Sequence, residues 1–346
     1  MKKYLSVLLA SVLAISMLAG CSPKTEPAGT TPEETPPVEE VATVSTGLAV
    51  ISSIAKSKDA GEKDGLAQVD SAIVAVTVDE DGKIVDCAID AAQTKINFNA
   101  AGELVTPADT VFKTKNELGE EYGMKGASGI GKEWNEQAAA FADYVVGKTA
   151  DEVKNIAIDE EGHATGADLT ASVTIGIDDY IEAVVKAVAN AQDLGAAATD
   201  KLSLAVETNM GKSANAGEKD GLAQAYSTYI AVTTDADGKI TSCAIDASQS
   251  NVNFDATGKL TTDLAAAVLK TKNELGEEYG MKGASGIGKE WNEQAAAFAL
   301  YVTGKTAAEV EGIAIDEEGH ATGSDLTASV TIGIDDFKAA LAKALA

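Results

Sequence analysis

Histidine, cysteine and positive charge are all scarce in this chain of 346 residues, and each scarcity removes a class of function. There are three cysteines, and Cys87 and Cys243 occupy equivalent places in two related halves. Neither half therefore holds a pair for an internal disulfide or a C-x-x-C redox motif. Both cysteines sit inside apolar, strand-like runs and read as small buried hydrophobes. The two histidines, His163 and His320, have no cysteine or histidine at metal-ligand spacing, so no metal site is expected. Lysine plus arginine number 27 against 54 acidic residues, a formal charge of −27. A surface of that sign repels nucleic acid and offers no basic stripe. There is no G-x-S-x-G and no G-x-G-x-x-G opening a helix after a strand. The GASGIG stretch from Gly126 to Gly131 lacks the Lys-Ser/Thr pair of a phosphate-binding P-loop.

What the chain does have is itself twice. Residues 113–142 recur letter for letter at 270–299, AGEKDGLAQ at 60–68 recurs at 216–224, and DLTASVTIGIDD at 168–179 recurs at 325–336. The offset is 156 before residue 103 and 157 after residue 113, so one inserted residue separates the copies. Solenoid repeats run at roughly 20–50 residues, so a period this long implies two tandem homologous domains. They are expected at 43–192 and 203–346, each long enough for its own core, with a short small-residue join between them. Between copies, the apolar runs keep their pattern and change their letters, as packed strands do. The identical blocks are polar and glycine-bearing, which points to chemistry.

Residues 1–20 combine Lys2 and Lys3, an apolar run from Tyr4 to Met17, and the small residues Leu18-Ala19-Gly20 before Cys21. The run is short for a membrane span and reads as an export signal. Residues 21–42 hold five of the six prolines and no apolar cluster, the composition of an extended tether.

Within the first unit, Leu48–Ile54, Val69–Val78, Ile84–Ala91 and Lys95–Phe98 read as strands, with turn signals at 79–83 and 99–102. The period then becomes helical. Trp134, Ala138, Phe141 and Val145 share one face, Thr149 caps a shorter helix, and Ile181, Val184, Val185 and Val188 define a last helix over Asp178–Ala189. Antiparallel strands followed by helices make each unit α+β, an antiparallel sheet with helices packed on it.

The segment from Asp168 to Thr174 leads into that last helix, and its twin runs from Asp325 to Thr331. A hydroxyl just before a helix N-terminus lies where backbone N–H groups can hold a phosphate. Thr170, Ser172 and Thr174 equally suit the polar face of a strand. Trp134 suits the core of its helix.

The spacing resembles D-x-x-S/T-G-A-S/T, the motif of FMN-binding domains in which an extracytoplasmic flavin transferase joins FMN phosphate to the last Thr or Ser. Those domains also carry a K-x-E-T-P-G-L-G segment and a W-x-x-Q-F run, to which Lys115-Asn116-Glu117-Leu118-Gly119 and Trp134-Asn135-Glu136-Gln137 are similar. Leu18-Ala19-Gly20-Cys21 resembles a bacterial lipobox, which implies cleavage before Cys21 and lipid on its sulfur. Together these resemble the pheromone-precursor lipoproteins of Gram-positive bacteria, which carry covalent FMN for extracellular electron transfer. In that family a secreted peptide ends just before the lipidated cysteine, a part that Ala14 to Gly20 would play.

The resemblance implies two covalent FMN groups, on Thr174 and Thr331, with Asp168 and Asp325 opening each motif. Ala171-Ser172-Val173 departs from S/T-G-A, and Ser128 and Ser285, in Gly-Ala-Ser, are the alternative acceptors. Tyr122 and Tyr279, Met124 and Met281, and the loops beginning at Gly126 and Gly283 are then the material for the flavin pocket. The implied protein is no enzyme. It is a lipoprotein on the outer face of the cell membrane, fed by a membrane quinol or NADH dehydrogenase chain and oxidised by ferric iron or soluble flavins. The alternative is a non-redox surface lipoprotein acting as a binding or adhesion module.

Overall fold

The computed structural model describes residues 41–346. The export signal, Cys21 and most of the tether lie outside the described residues. Strands β1 (Thr43–Ser53), β2 (Gly65–Val78) and β3 (Ile84–Phe98) form an antiparallel meander. Helices α1 (Lys115–Leu118), α2 (Trp134–Val145), α3 (Ala150–Lys154), α4 (Ala167–Thr170) and α5 (Asp178–Ala189) follow. A short β4 (Gln192–Ala197) then returns to pair antiparallel with β1, giving a sheet of order β3-β2-β1-β4. The second copy repeats the plan with β5 (Lys201–Asn209), β6 (Gly221–Thr234) and β7 (Ile240–Phe254). Its helices are α6 (Lys272–Leu275), α7 (Trp291–Val302), α8 (Ala307–Glu311), α9 (Ser324–Thr327) and α10 (Asp335–Ala344). The chain is thus α+β, with two antiparallel sheets and helices packed on each. Among the described residues no helix is long and apolar enough to cross a membrane.

Two readings change. Ile84–Ala91 and Lys95–Phe98 belong to one strand, because β3 pairs with β2 along its whole length from Gly65↔Phe98 to Val78↔Ile84. The join contains β4, whose backbone completes the first sheet beside β1. Both turn signals hold. Gly82 and Gly102 adopt φ of +76° and +69°, which only glycine takes at little cost.

The strands are buried on both faces, and the alternation of side chains shows by what. Ala72, Val74, Val76 and Val78 of β2 pack into the core beneath the helices, with Trp134, Phe141 and Val184. Their neighbours Ile73 and Ala75 join Leu48, Val50, Leu202, Val206, Tyr229 and Ala231 in a core made by both sheets. Further along, Phe98 and Phe254 stack at 4.1 Å between centroids and 5° between planes, among Val69, Ile96, Met210 and Val252. The sheets therefore face each other, and each carries its own helices on the outside.

The contacts between copies are reciprocal, as in an isologous interface. The Ala60 amide donates to the Gly258 carbonyl and the Ala216 amide to the Gly102 carbonyl, each at 2.7 Å. Lys186 pairs with Glu274, and its counterpart Lys343 pairs with Glu117 at 2.8 Å. These ion pairs are part-exposed and contribute little beside the apolar faces.

The shared core sets an expectation. Phe254→Ala should cost about 3–5 kcal/mol, from lost burial and the cavity left in the stack. Single-tryptophan forms, Trp134→Phe and Trp291→Phe, report the two halves separately by fluorescence. Their denaturant transitions should coincide, and two separated transitions would show that the copies fold independently.

Candidate functional site

The identical block 113–142 is held by three buried polar side chains. Asp90 in β3 accepts the Asn116 amide at 3.1 Å, and Asn116 donates its side-chain amide to the Ile89 carbonyl, so α1 is tied to the sheet. Glu133, the N-cap of α2, takes the Met124 and Lys125 amides at 2.8 and 3.0 Å, and Glu136 takes the Glu133 amide in return. A carboxylate that gathers amides in this way folds the loop between Tyr122 and Lys132 back on its helix. The third is Gln137, which is fully buried.

Gln137 is where the two candidate acceptors meet. Its Oε1 accepts both the Thr174 amide at 2.8 Å and the Thr174 hydroxyl at 3.0 Å. Its Nε2 donates to the Ser128 hydroxyl at 3.2 Å and to the Lys132 carbonyl at 3.2 Å, and lies 3.6 Å from the Met124 sulfur. The second copy repeats the arrangement. Gln294 accepts from the Thr331 amide and hydroxyl at 2.8 and 3.1 Å and donates to Ser285 at 3.3 Å.

Thr174 and Ser128 open onto a cavity of about 540 Å³. Its walls include Met124, Trp134 and Tyr180, with Lys115 and His163 as the basic side chains. The Lys115 ammonium lies 4.9 Å from the centroids of both Tyr122 and Trp134, and Trp134 and Tyr180 are tilted neighbours at 6.0 Å. His163 Nδ1 faces the carboxylates of Asp159 and Glu161 at 3.6 and 3.7 Å on an exposed turn.

The other candidate residues lie around this cavity in different ways. Asp168 does not line this cavity. It sits in α4, accepts the Tyr144 hydroxyl at 2.9 Å and borders a separate cavity of about 290 Å³, as Asp325 accepts from Tyr301 at 2.8 Å. The segment of Asp168–Thr174 is a short helix and turn rather than a strand. Tyr122 contributes behind Lys115 rather than on the cavity wall. At Gly126 and Gly283 a Cβ would meet no protein atom within 4 Å, so packing within the protein does not demand glycine there. The N-terminus of α5 carries Asp178 and Asp179 in its first turn, and these acids already complement its dipole. Lys115, and not the helix end, supplies positive charge beside Thr174.

The bridging glutamine carries a sequence signal of its own. It lies three residues after Trp134, on the buried face of an otherwise apolar helix stripe. A polar residue there needs a partner, and sequence alone does not say which.

The donor set suits a phosphate-bearing aromatic ligand. Lys115 offers an ammonium, Met124, Trp134 and Tyr180 offer polarisable walls, and Thr174 offers an exposed hydroxyl whose proton is directed to Gln137. Replacing that proton by a phosphoryl group leaves Gln137 Oε1 bonded to the Thr174 amide, so the buried amide is not orphaned. Comparison with protein-family models, with curated proteins and with solved structures finds no match.

Burial raises the carboxyls of Asp90 and Asp246 to about 6, against the amides and threonines that favour the ionised form. Their unfolded value is about 3.9, so the native state binds more protons between pH 4 and 6 and loses stability as pH rises through that window. The double variant Asp90→Asn, Asp246→Asn lacks this dependence. Wild-type stability relative to that variant should fall between pH 4 and 7, by on the order of 2 kcal/mol per carboxyl, and level off above. A pH-independent difference in chemical denaturation would contradict the burial argument.

Proposed function

We propose that this chain is a lipid-anchored, extracytoplasmic electron carrier with one FMN covalently attached in each repeat, at Thr174 and Thr331. One observation carries the reading. The last hydroxyl of the motif, at Thr174, shares one buried glutamine with Ser128 and opens on a cavity bearing an ammonium, a thioether and two aromatic rings. The same glutamine bridge recurs in the second repeat.

FMN, when bound, supplies one- and two-electron redox chemistry. The roles of the protein's own residues follow from their places. Lys115 offers a cation to a phosphate or to an electron-rich ring edge. Met124, Trp134 and Tyr180 exclude water from an aromatic group and give it flat, polarisable contacts. Gln137 holds the hydroxyl of Thr174 before attachment, and the Thr174 backbone amide both before and after it. Thr174 is favoured over Ser128 as the acceptor because it is exposed, whereas Ser128 is half-buried.

In this reading Cys21 carries the lipid, and the proline-rich segment after it separates the folded body from the membrane. A flavin transferase outside the cytoplasm loads the chain, and a membrane quinol or NADH dehydrogenase chain reduces it. Ferric iron or soluble flavins take the electrons. The charge of −27 favours encounters with cationic acceptors and weakens as salt rises.

Intact mass provides the test. The mature chain co-expressed with an extracytoplasmic flavin transferase should gain two FMN phosphoester increments and stay yellow after denaturation. Thr174→Val and Thr331→Val should each remove one increment, and Ser128→Ala with Ser285→Ala should remove none. A colourless chain of unchanged mass would leave a non-redox binding role in its place.

A further inference from the structure

The two copies differ beneath the same lysine. Lys115 and Lys272 lie in identical blocks, yet the strand position that meets Lys272 in the second copy is Tyr226, and its equivalent in the first copy is Asp70. Tyr226 covers Lys272. Its ring centroid lies 4.5 Å from the ammonium, its hydroxyl is 2.9 Å from Nζ, and Tyr279 and Trp291 complete the enclosure at 4.9 and 4.7 Å. Lys272 is 4% exposed. In the first copy Asp70 is drawn aside, bonded to Lys56 at 2.9 Å and to the Gln68 amide at 2.8 Å. Lys115 keeps only Tyr122 and Trp134 as ring neighbours, is half-buried, and lines the cavity beside Thr174. A second difference accompanies the first, since Tyr180 on the cavity wall is replaced by Phe337.

We propose that the two sites are inequivalent, with Tyr226 as the residue that makes them so. The first copy presents an open ammonium to the anionic group of a phosphate-bearing ligand, and the second holds its ammonium closed under Tyr226. This rests on the reading of the Thr174 cavity as the ligand site. An anion entering the second site must displace a tyrosine ring and a charge-assisted hydrogen bond from a buried lysine, whereas at the first site it displaces water. Desolvation by the aromatic enclosure also lowers Lys272 to about 8, which weakens the positive charge available to an anion there.

Brief acylation of the flavin-free protein tests this. Cleavage before aspartate yields peptides that begin at Asp109 and Asp263 and distinguish the two otherwise identical lysine segments. Lys115 should react at least about tenfold faster than Lys272, whose reaction has to wait for the enclosure to open. Tyr226→Asp should bring Lys272 to the rate of Lys115, Tyr226→Phe should leave it protected by the ring, and Asp70→Tyr should slow Lys115. The Asp70→Tyr arm keeps the test decisive if Tyr226→Asp does not fold. Equal wild-type rates would overturn the proposal.

Added FMN then separates this proposal from the site reading. Stronger protection of Lys115 than of Lys272 in wild type, and equal protection of the two in Tyr226→Asp, supports both. Equal protection of the two lysines in wild type overturns the inequivalence and keeps the ligand site. Protection of neither overturns the site reading, and the proposal with it.

Discussion

The rest of the structure depends on the second apolar face of each sheet. A three-stranded meander with helices on one side satisfies only half of its strand side chains. Ile73, Ala75 and Leu48 point away from the helices, and in a lone copy they would meet water. The other copy covers them, with Tyr229, Ala231 and Leu202 as the facing layer. Burial at roughly 25 cal/mol per Å² of apolar surface makes this face, rather than the exposed ion pairs at its rim, the bond between copies. The join is shaped by the same demand, since β4 extends the first sheet on the way to the second.

That arrangement puts the chemistry outside. Each sheet spends its inner face on its twin, so the polar blocks can assemble only on the outer, helical side. There the backbone is held by buried carboxylates and a buried amide rather than by long strands. Glu133 gathers two loop amides, Asp90 ties α1 to β3, and Gln137 joins the loop of Ser128 to the segment of Thr174. Each of these polar groups is satisfied, which is the condition for burying it. Losing Gln137 would leave the Thr174 amide unpartnered at the point where the motif ends.

The elements that sequence reveals best are those whose burial is one-sided. Asp178–Ala189 is a helix over the expected residues because one face is apolar, with Ile181 and Val184 buried and Val185 and Val188 packed at the edge of the core. The strands are recognisable as strands, yet their packing is not, because continuous runs such as SAIVAVTV in β2 look alike whether the second face meets helices, solvent or another sheet. β4 is hidden for a related reason. Gln192–Ala197 has no apolar alternation, and its place comes from backbone pairing with β1. The site was legible as parts: Thr174, Ser128, Met124 and Trp134 were visible one by one. Gln137 lies 37 residues before Thr174 in the chain, and only the tertiary fold makes the two partners. Asp168 shows the converse, since a neighbour of Thr174 in sequence turns away to Tyr144.

Identity between the copies is concentrated where side chains hold the backbone. The longest block that matches letter for letter, 113–142, supplies the side chains that hold backbone amides, Glu117, Glu133, Glu136 and Gln137 among them, where a lost acceptor leaves a donor unpaired. Strand residues face no such rule and drift with the packing, as Val69-Asp70-Ser71 against Ala225-Tyr226-Ser227 shows. Yet a strand side chain that happens to lie under an identical block reaches its functional groups. Asp70 and Tyr226 stand in the same register position, opposite Gln93 and Gln249, but Tyr226 bonds Lys272 whereas Asp70 turns to Lys56. A carboxylate held by Lys56 leaves the ammonium open, whereas a phenol takes its hydrogen bond and buries it. Duplicated sites with identical loops can therefore part in chemistry through the sheet beneath them, and the residues that decide it are found among the diverged positions.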